Sequence, residues 1–250
     1  MALPTLPVTL PPATPFTGGL YDAATIIDDA AARHLGGVTV TDPNVGGHGR
    51  WQLPAPKDGN PDKVGDRLDP TDHPATVVWA ADSAKSVSWT DDDALARAEH
   101  VLRLIEPVEV EEHVAEQFAT LTADDTAASW VDAVALADLA LAKAGHTGVV
   151  HVYRAHLAAL QDASMIVRQS GRMLTPGGNV YAFGAGYEAL GSTIVATGDV
   201  FVRRGPVTSI ASLDHASNTR TGLAERVVAP YWGSPVSAIT VSAIIDSTTP

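Results

Sequence analysis

The residues whose types and spacing could do chemistry fall into a few clusters. Gly184-Ala185-Gly186-Tyr187-Glu188-Ala189 matches G-x-G-x-x-A, the spacing with which a dinucleotide-binding fold brings backbone amides up to a pyrophosphate. That chemistry needs a helix directly after the glycines, because the helix N-terminus supplies the amides and the positive end of the dipole. Here Ser192 to Ala196 and Val200 to Val202 continue as strand pattern after the possible strand Val180 to Phe183, so the segment reads as a glycine-rich turn between strands. His146, His151 and His156 recur at intervals of five. Helical metal ligands want i, i+4 and strand ligands want alternation, so the three rings are expected to point in different directions, with His151 a satisfied core histidine of an apolar strand.

Glu109, Glu111, Glu112, His113 and Glu116 bring carboxylates and an imidazole together. On a helix they read as a charged outer face opposite Val110, Val114 and Phe118, a solvated surface or subunit contact and not a general acid–base pair. Arg203-Arg204 and the stretch Arg220 to Arg226 are the most basic parts of a chain poor in cations. Salt bridges to acidic neighbours across an interface explain them at least as well as phosphate binding. No G-x-S-x-G elbow and no Walker loop occurs, and the serines near histidines are too scattered for a triad. The sequence therefore offers no catalytic, cofactor-binding or metal-binding residues, and the reading is of a protein that is not an enzyme and needs no cofactor.

Composition sets the frame for these residues. With 250 residues, 45% hydrophobic and 18% charged, the chain folds as one large domain or two moderate ones. It has no cysteine, which excludes disulfides, thiolate chemistry and cysteine zinc sites. There is no basic-then-apolar N-terminal segment and no run of 18 apolar residues, so secretion and membrane insertion are not expected. A formal charge of -13 repels nucleic acid phosphates over most of the surface. An acidic wall suits a container through which packed DNA must slide, and simple solubility accounts for the charge equally well.

The elements that must position these side chains follow from pattern. Pro4, Pro7, Pro11, Pro12 and Pro15 make the start an extended arm with too little apolar surface to order itself, to be held by a neighbouring subunit or along its own domain. Tyr21 to Leu35 reads as a short helix closed by Gly36-Gly37, followed by a strand Val38 to Thr41. From Asp42 to Pro74, Gly, Pro and Asp dominate, a long loop or hairpin of the kind that reaches a partner or ligand. Ala75 to Trp89 reads as a returning strand. Thr90 then caps a long helix begun by Asp91, Asp92 and Asp93, with Leu95, Ala98, Leu102 and Ile105 on one face. Pro107 is expected to kink it or split it in two. Trp130 to Ala144 reads as a helix ended by Gly145, Val149 to Tyr153 as a buried strand and Arg154 to Ala163 as a helix. The rest reads as mostly β, with turns at Ser170-Gly171, Pro176-Gly177-Gly178 and Gly205-Pro206. Segregated helices and hairpins give the class α+β.

The strand Ala75-Thr76-Val77-Val78-Trp79-Ala80 leading into the acidic-capped helix resembles capsid proteins of tailed bacteriophages of the Hong Kong 97 type, most like those of actinobacteriophages. Gly148-Val149-Val150-His151-Val152, Arg172 to Gly178, Gly184 to Tyr187, Ala196 to Gly205 and Leu223 to Trp232 continue the resemblance in order and spacing, over roughly residues 75 to 245. It implies an N-terminal arm over 1–40, an extended loop with its returning strand over 42–90, a peripheral domain with a spine helix over 91–124, an axial domain over 125–205 and a return to the peripheral domain over 206–250. It further implies a major capsid protein that self-assembles into hexamers and pentamers around double-stranded DNA it does not bind specifically. Separate scaffolding, portal and decoration proteins would be its further partners, with no membrane. The expected place is the virion head, assembled in the host cytoplasm, and no scaffolding domain is expected to be fused ahead of the arm. Lys57 and Lys63 lie in the expected extended loop, where the type member cross-links through a lysine, but no partner site is identifiable here. The alternatives are an encapsulin-like compartment shell, a minor head or tail protein, and an oxidoreductase using the Gly184 turn.

Overall fold

A computed structural model describes residues 10–85 and 89–242. Pro4 and Pro7 of the arm, Val87 of the returning strand and the last eight residues lie outside them. The described end of the arm is extended and then lies along the body. Arg154 Nη1 donates to the Thr17 carbonyl at 3.1 Å, and its guanidinium sits 5.0 Å over the Phe16 ring.

The helix expected over Tyr21 to Leu35 is reduced to one turn, α1 (Leu20–Ala23), before the chain turns into strand β1 (Thr25–Asp28). The β-branched run Thr25-Ile26-Ile27 explains the difference, since stiff χ1 angles favour the pleated form and an edge strand is available to pair with. β2 (Val38–Val40) and β3 (Thr71–His73) pair antiparallel, so the excursion between them starts and ends at one point. The returning strand is β4 (Thr76–Lys85).

Helix α2 (Asp91–Phe118) then runs 28 residues without a break. Its start is a reciprocal cap: Asp93 N donates to Thr90 Oγ1 at 3.1 Å and Thr90 N to Asp93 Oδ2 at 3.0 Å. Of the two outcomes expected at Pro107, a kink or a split, the split does not occur. A proline costs a helix roughly 3 kcal/mol, while burial of Leu102, Val110, Val114 and Phe118 on one stripe gains about 1.5–3 kcal/mol each, so packing outweighs the lost hydrogen bond. Beyond it come β5 (Asp125–Ala127), α3 (Trp130–Ala144), β6 (Val149–Tyr153) and a 3-10 turn leading into α4 (Leu157–Asp162). The β-rich remainder comprises β7 (Val167–Gln169), β8 (Arg172–Leu174), β9 (Val180–Gly184), β10 (Thr193–Thr197), β11 (Val200–Arg204), β12 (Thr208–Asp214), β13 (Thr219–Trp232) and β14 (Val236–Val241). α3 ends where Gly145 takes a left-handed φ of 85°, the conformation glycine accepts without a steric penalty.

Two sheets result. One has five strands in the order β1-β11-β13-β12, with β4 on the other side of the long β13; the other has seven in the order β5-β14-β10-β6-β9-β8-β7. α2 lies across β13 and β4, so closely that a Cβ on Gly222 would fall 2.5 Å from the Ala94 carbonyl carbon. α3 packs on β10 and β14. The sequence reading placed boundaries at 124/125 and 205/206; the chain passes between sheets at residues 119–124, again at Gly198 and Asp199 between β10 and β11, and once more at 233–235 between β13 and β14. Among the described residues no helix is long and apolar enough to cross a membrane.

Candidate functional site

The glycine turn meets the long helix, and there the sequence reading needs a correction. Glu111, expected on a solvated face, is fully buried. Leu20 N donates to its Oε1 at 2.9 Å and Gly186 N to its Oε2 at 3.1 Å. The amides that a dinucleotide fold would offer to phosphate are thus used on the chain's own carboxylate, and the short 3-10 turn Tyr187–Leu190 follows in place of a helix. Gly186 is required for approach: a Cβ there would lie 2.2 Å from the Val108 carbonyl oxygen. Burial pushes the Glu111 carboxyl up to about 7 against the pull of those amides and of Arg154. Glu111 therefore clamps arm root, helix and second sheet together. Its signal was readable, since 111, 114, 115 and 118 form one helical face and Val114, Ala115 and Phe118 are all apolar.

A second buried carboxylate on the same helix, Glu106, was missed for the same reason, continuing the stride Ala98, Leu102, Glu106, Val110. Arg226 Nη1 reaches its Oε2 at 2.9 Å, Arg204 Nη1 its Oε1 at 3.4 Å, and the Tyr21 hydroxyl donates to Oε1 at 2.8 Å. Arg203 pairs with Asp29 at 3.1 Å, and Arg220 with Asp91. The arginines expected to serve an interface or a phosphate are engaged inside the chain, joining β11 and β13 to α2 and the segment around β1.

The three histidines do diverge. His151 is buried, with Nδ1 2.8 Å from the Tyr187 hydroxyl and Nε2 3.0 Å from Thr197 Oγ1, and burial holds its imidazole down to about 3. His156 packs on Trp130 with ring centroids 4.3 Å apart, and His146 is half-buried on the turn after α3. Among the described residues no group of three or more His, Cys, Asp or Glu could hold a metal ion.

What the single chain leaves uncovered is apolar surface. In the excursion, Leu53 is 89% and Val64 80% exposed, and Lys63 stands 4.1 Å over the half-exposed Trp51 ring. Lys57 is exposed at the far end of the same excursion. On the outer face of the five-stranded sheet Trp79 is 60% exposed, and the cross-strand row Ala81, Leu223 and Ile210 adds Ile210 at 57%. Large apolar patches of this kind mark interaction surfaces.

No protein-family model matches the chain, and no curated protein matches it. Solved structures do. The capsid of an empty GTA particle is 14% identical with a TM-score of 0.57, the match covering 97% of this chain and 96% of that one. A structure from Microbacterium phage Oxtober96 is 13% identical with a TM-score of 0.55, covering 97% and 96%. The chain has the Hong Kong 97-type phage capsid fold. The same capsid fold extends to the holo-SrpI encapsulin complex from Synechococcus elongatus PCC 7942, 10% identical with a TM-score of 0.50, covering 74% of this chain and 81% of that one. The expected α+β architecture is thereby observed, with the glycine turn and the buried glutamates serving as joints of the capsid fold.

Proposed function

We propose that the chain is a major capsid protein: the shell subunit of an icosahedral phage head, assembling with copies of itself into hexamers and pentamers around double-stranded DNA. The observation that carries this reading is the match to a capsid over 97% of the chain, including the excursion that finds no seat on its own body. In this reading residues 1–40 form the arm, 42–90 the extended loop with its returning strand, 91–124 the spine-helix portion, 125–205 the axial portion and 206–250 the return. The exposed apolar residues of the loop and outer sheet then gain their burial from identical copies, through contacts that close into rings. A role in structure and not catalysis is consistent with the glycine turn and the two buried carboxylates, Glu106 and Glu111, being engaged within the fold. The net charge of -13 suits an inner wall that repels packed DNA. Scaffolding, portal and decoration proteins would be separate chains, and the head would assemble in the host cytoplasm.

The second reading, an encapsulin-like compartment, is favoured by the shared fold with the SrpI complex, at lower coverage. Negative-stain imaging of the purified full chain tests both. Closed shells of uniform size are expected. Only small, open oligomers under all salt and crowding conditions would overturn the shell reading, and shells that capture an enzyme bearing a loading peptide would favour the compartment.

A further inference from the structure

The excursion leaves the body after β2 and rejoins it at β3, so its direction depends on how that one root is seated. The root is held by few groups. Ser234 N donates to Asp42 Oδ2 at 2.6 Å, and His113 Nε2 lies 3.1 Å from the Pro74 carbonyl. Between them His73 is only 3% exposed, its ring edge-on to Trp232 with centroids 4.4 Å apart. Trp232 in turn meets Phe118 at 4.6 Å, so the seat is aromatic. Neither Nδ1 nor Nε2 of His73 has a hydrogen-bond partner among the described residues. The other buried histidines differ: His151 has two partners and His34 reaches the Val227 carbonyl at 3.2 Å. A buried ring with no partner costs free energy even when neutral, and far more once it carries charge and two N–H donors.

We propose that His73 is an acid-released latch for the 41–70 excursion: neutral, it seats the root on Trp232; protonated, it withdraws toward the carboxylates around it and lets the root detach. The groups facing it are few. Asp72 adjoins it on β3, β2 contributes no titratable side chain, and β13 contributes only Trp232. His113 and Glu116 of α2 line the open trough of about 540 Å³ beside it. Asp42 and Asp69, from the two ends of the excursion, line the small void on its other side. Four carboxylates thus wait at the rim of an apolar seat, with the His113 ring beside them. Burial holds the His73 imidazole below the ordinary histidine range, with Asp72 opposing. The sign follows: the seated state is fully favoured above the unfolded value of about 6.5, and the advantage is lost as pH falls toward the seated ring's own, lower value.

This inference is independent of the capsid reading, and its test uses the unassembled full chain, isolated by size. Hydrogen exchange, corrected for intrinsic rates, is compared at about pH 7 and about pH 5 for peptides spanning β2 and β3, with β6 and β9 as internal reference. In the native chain, protection of the root is expected to fall about tenfold or more at the lower pH while the reference is unchanged. His73→Phe, or His73→Leu if the larger ring does not fit, should hold its root protection within about twofold, and His113→Gln should keep the native response. Unchanged root protection in the native chain, an equal loss in the His73 variants, or abolition of the response by His113→Gln would each overturn the latch.

Discussion

Glu111 carries a cost that depends on pH. Its carboxyl is pushed up to about 7 by burial, above the ordinary glutamate value of about 4.3. A raised carboxyl contributes stability that is full below the unfolded value and is lost as pH rises through the folded one. The native chain should therefore lose on the order of 2–3 kcal/mol between pH 4.5 and 7 through this group alone. Glu111→Gln should remove that slope, so the difference in urea midpoint between native and variant chains should change over this window and stay flat above it. Glu111→Ala strands the amides of Leu20 and Gly186 and should cost about 2–4 kcal/mol near pH 4.5, a cost that shrinks toward pH 7 as the native chain bears the ionisation of its own buried carboxyl. The charge character of 109–116 was read from residue type, but burial was set by position on the helix. Glu106 and Glu111 occupy the apolar stripes, and only Glu109, Glu112 and Glu116 of that group face outward.

At the level of elements, α2 and β13 form the central contact. Gly222 is the point of closest approach, where a Cβ would overlap the Ala94 backbone at 2.5 Å. Gly222→Ala should destabilise by about 3 kcal/mol or more, because backbone cannot yield as a side chain would. Gly145→Ala, which meets no atom within 4 Å, should cost only the roughly 1 kcal/mol of an unfavourable left-handed turn. Chemical denaturation of both variants checks the contrast. α3 was legible because its periodicity and the terminating Gly145 agree locally, and β6 because Val149 to Tyr153 is a short apolar run. The helix expected over Tyr21 to Leu35 failed because β1 exists only by pairing with β11, far away in sequence. Whether α2 would run through Pro107 or divide there was left open by the sequence, since the surface that compensates for the proline comes from β4 and β13.

For the whole molecule, the shell reading separates folding from assembly. Removing residues 1–15 takes away no core residue of the described body, so the truncated chain should melt within about 5 °C of the native one, while the yield of closed shells should drop severalfold by imaging and sedimentation. An unchanged shell yield would count against an arm that bridges subunits. The three passages between the sheets constrain how this body can deform. Two of them, around Gly198 and Gly233, are cross-braced, Gly198 N donating to the Gly233 carbonyl at 2.9 Å and Gly233 N to the Asp199 carbonyl at 3.0 Å. A body joined by one strand of backbone can swivel; one joined by three struts, two of them tied together, and packed through a single apolar core shared by both sheets resists torsion and tilt alike. Curvature differences between one lattice position and another would then be absorbed by the exposed excursion, leaving the two sheets to move as one stiff panel.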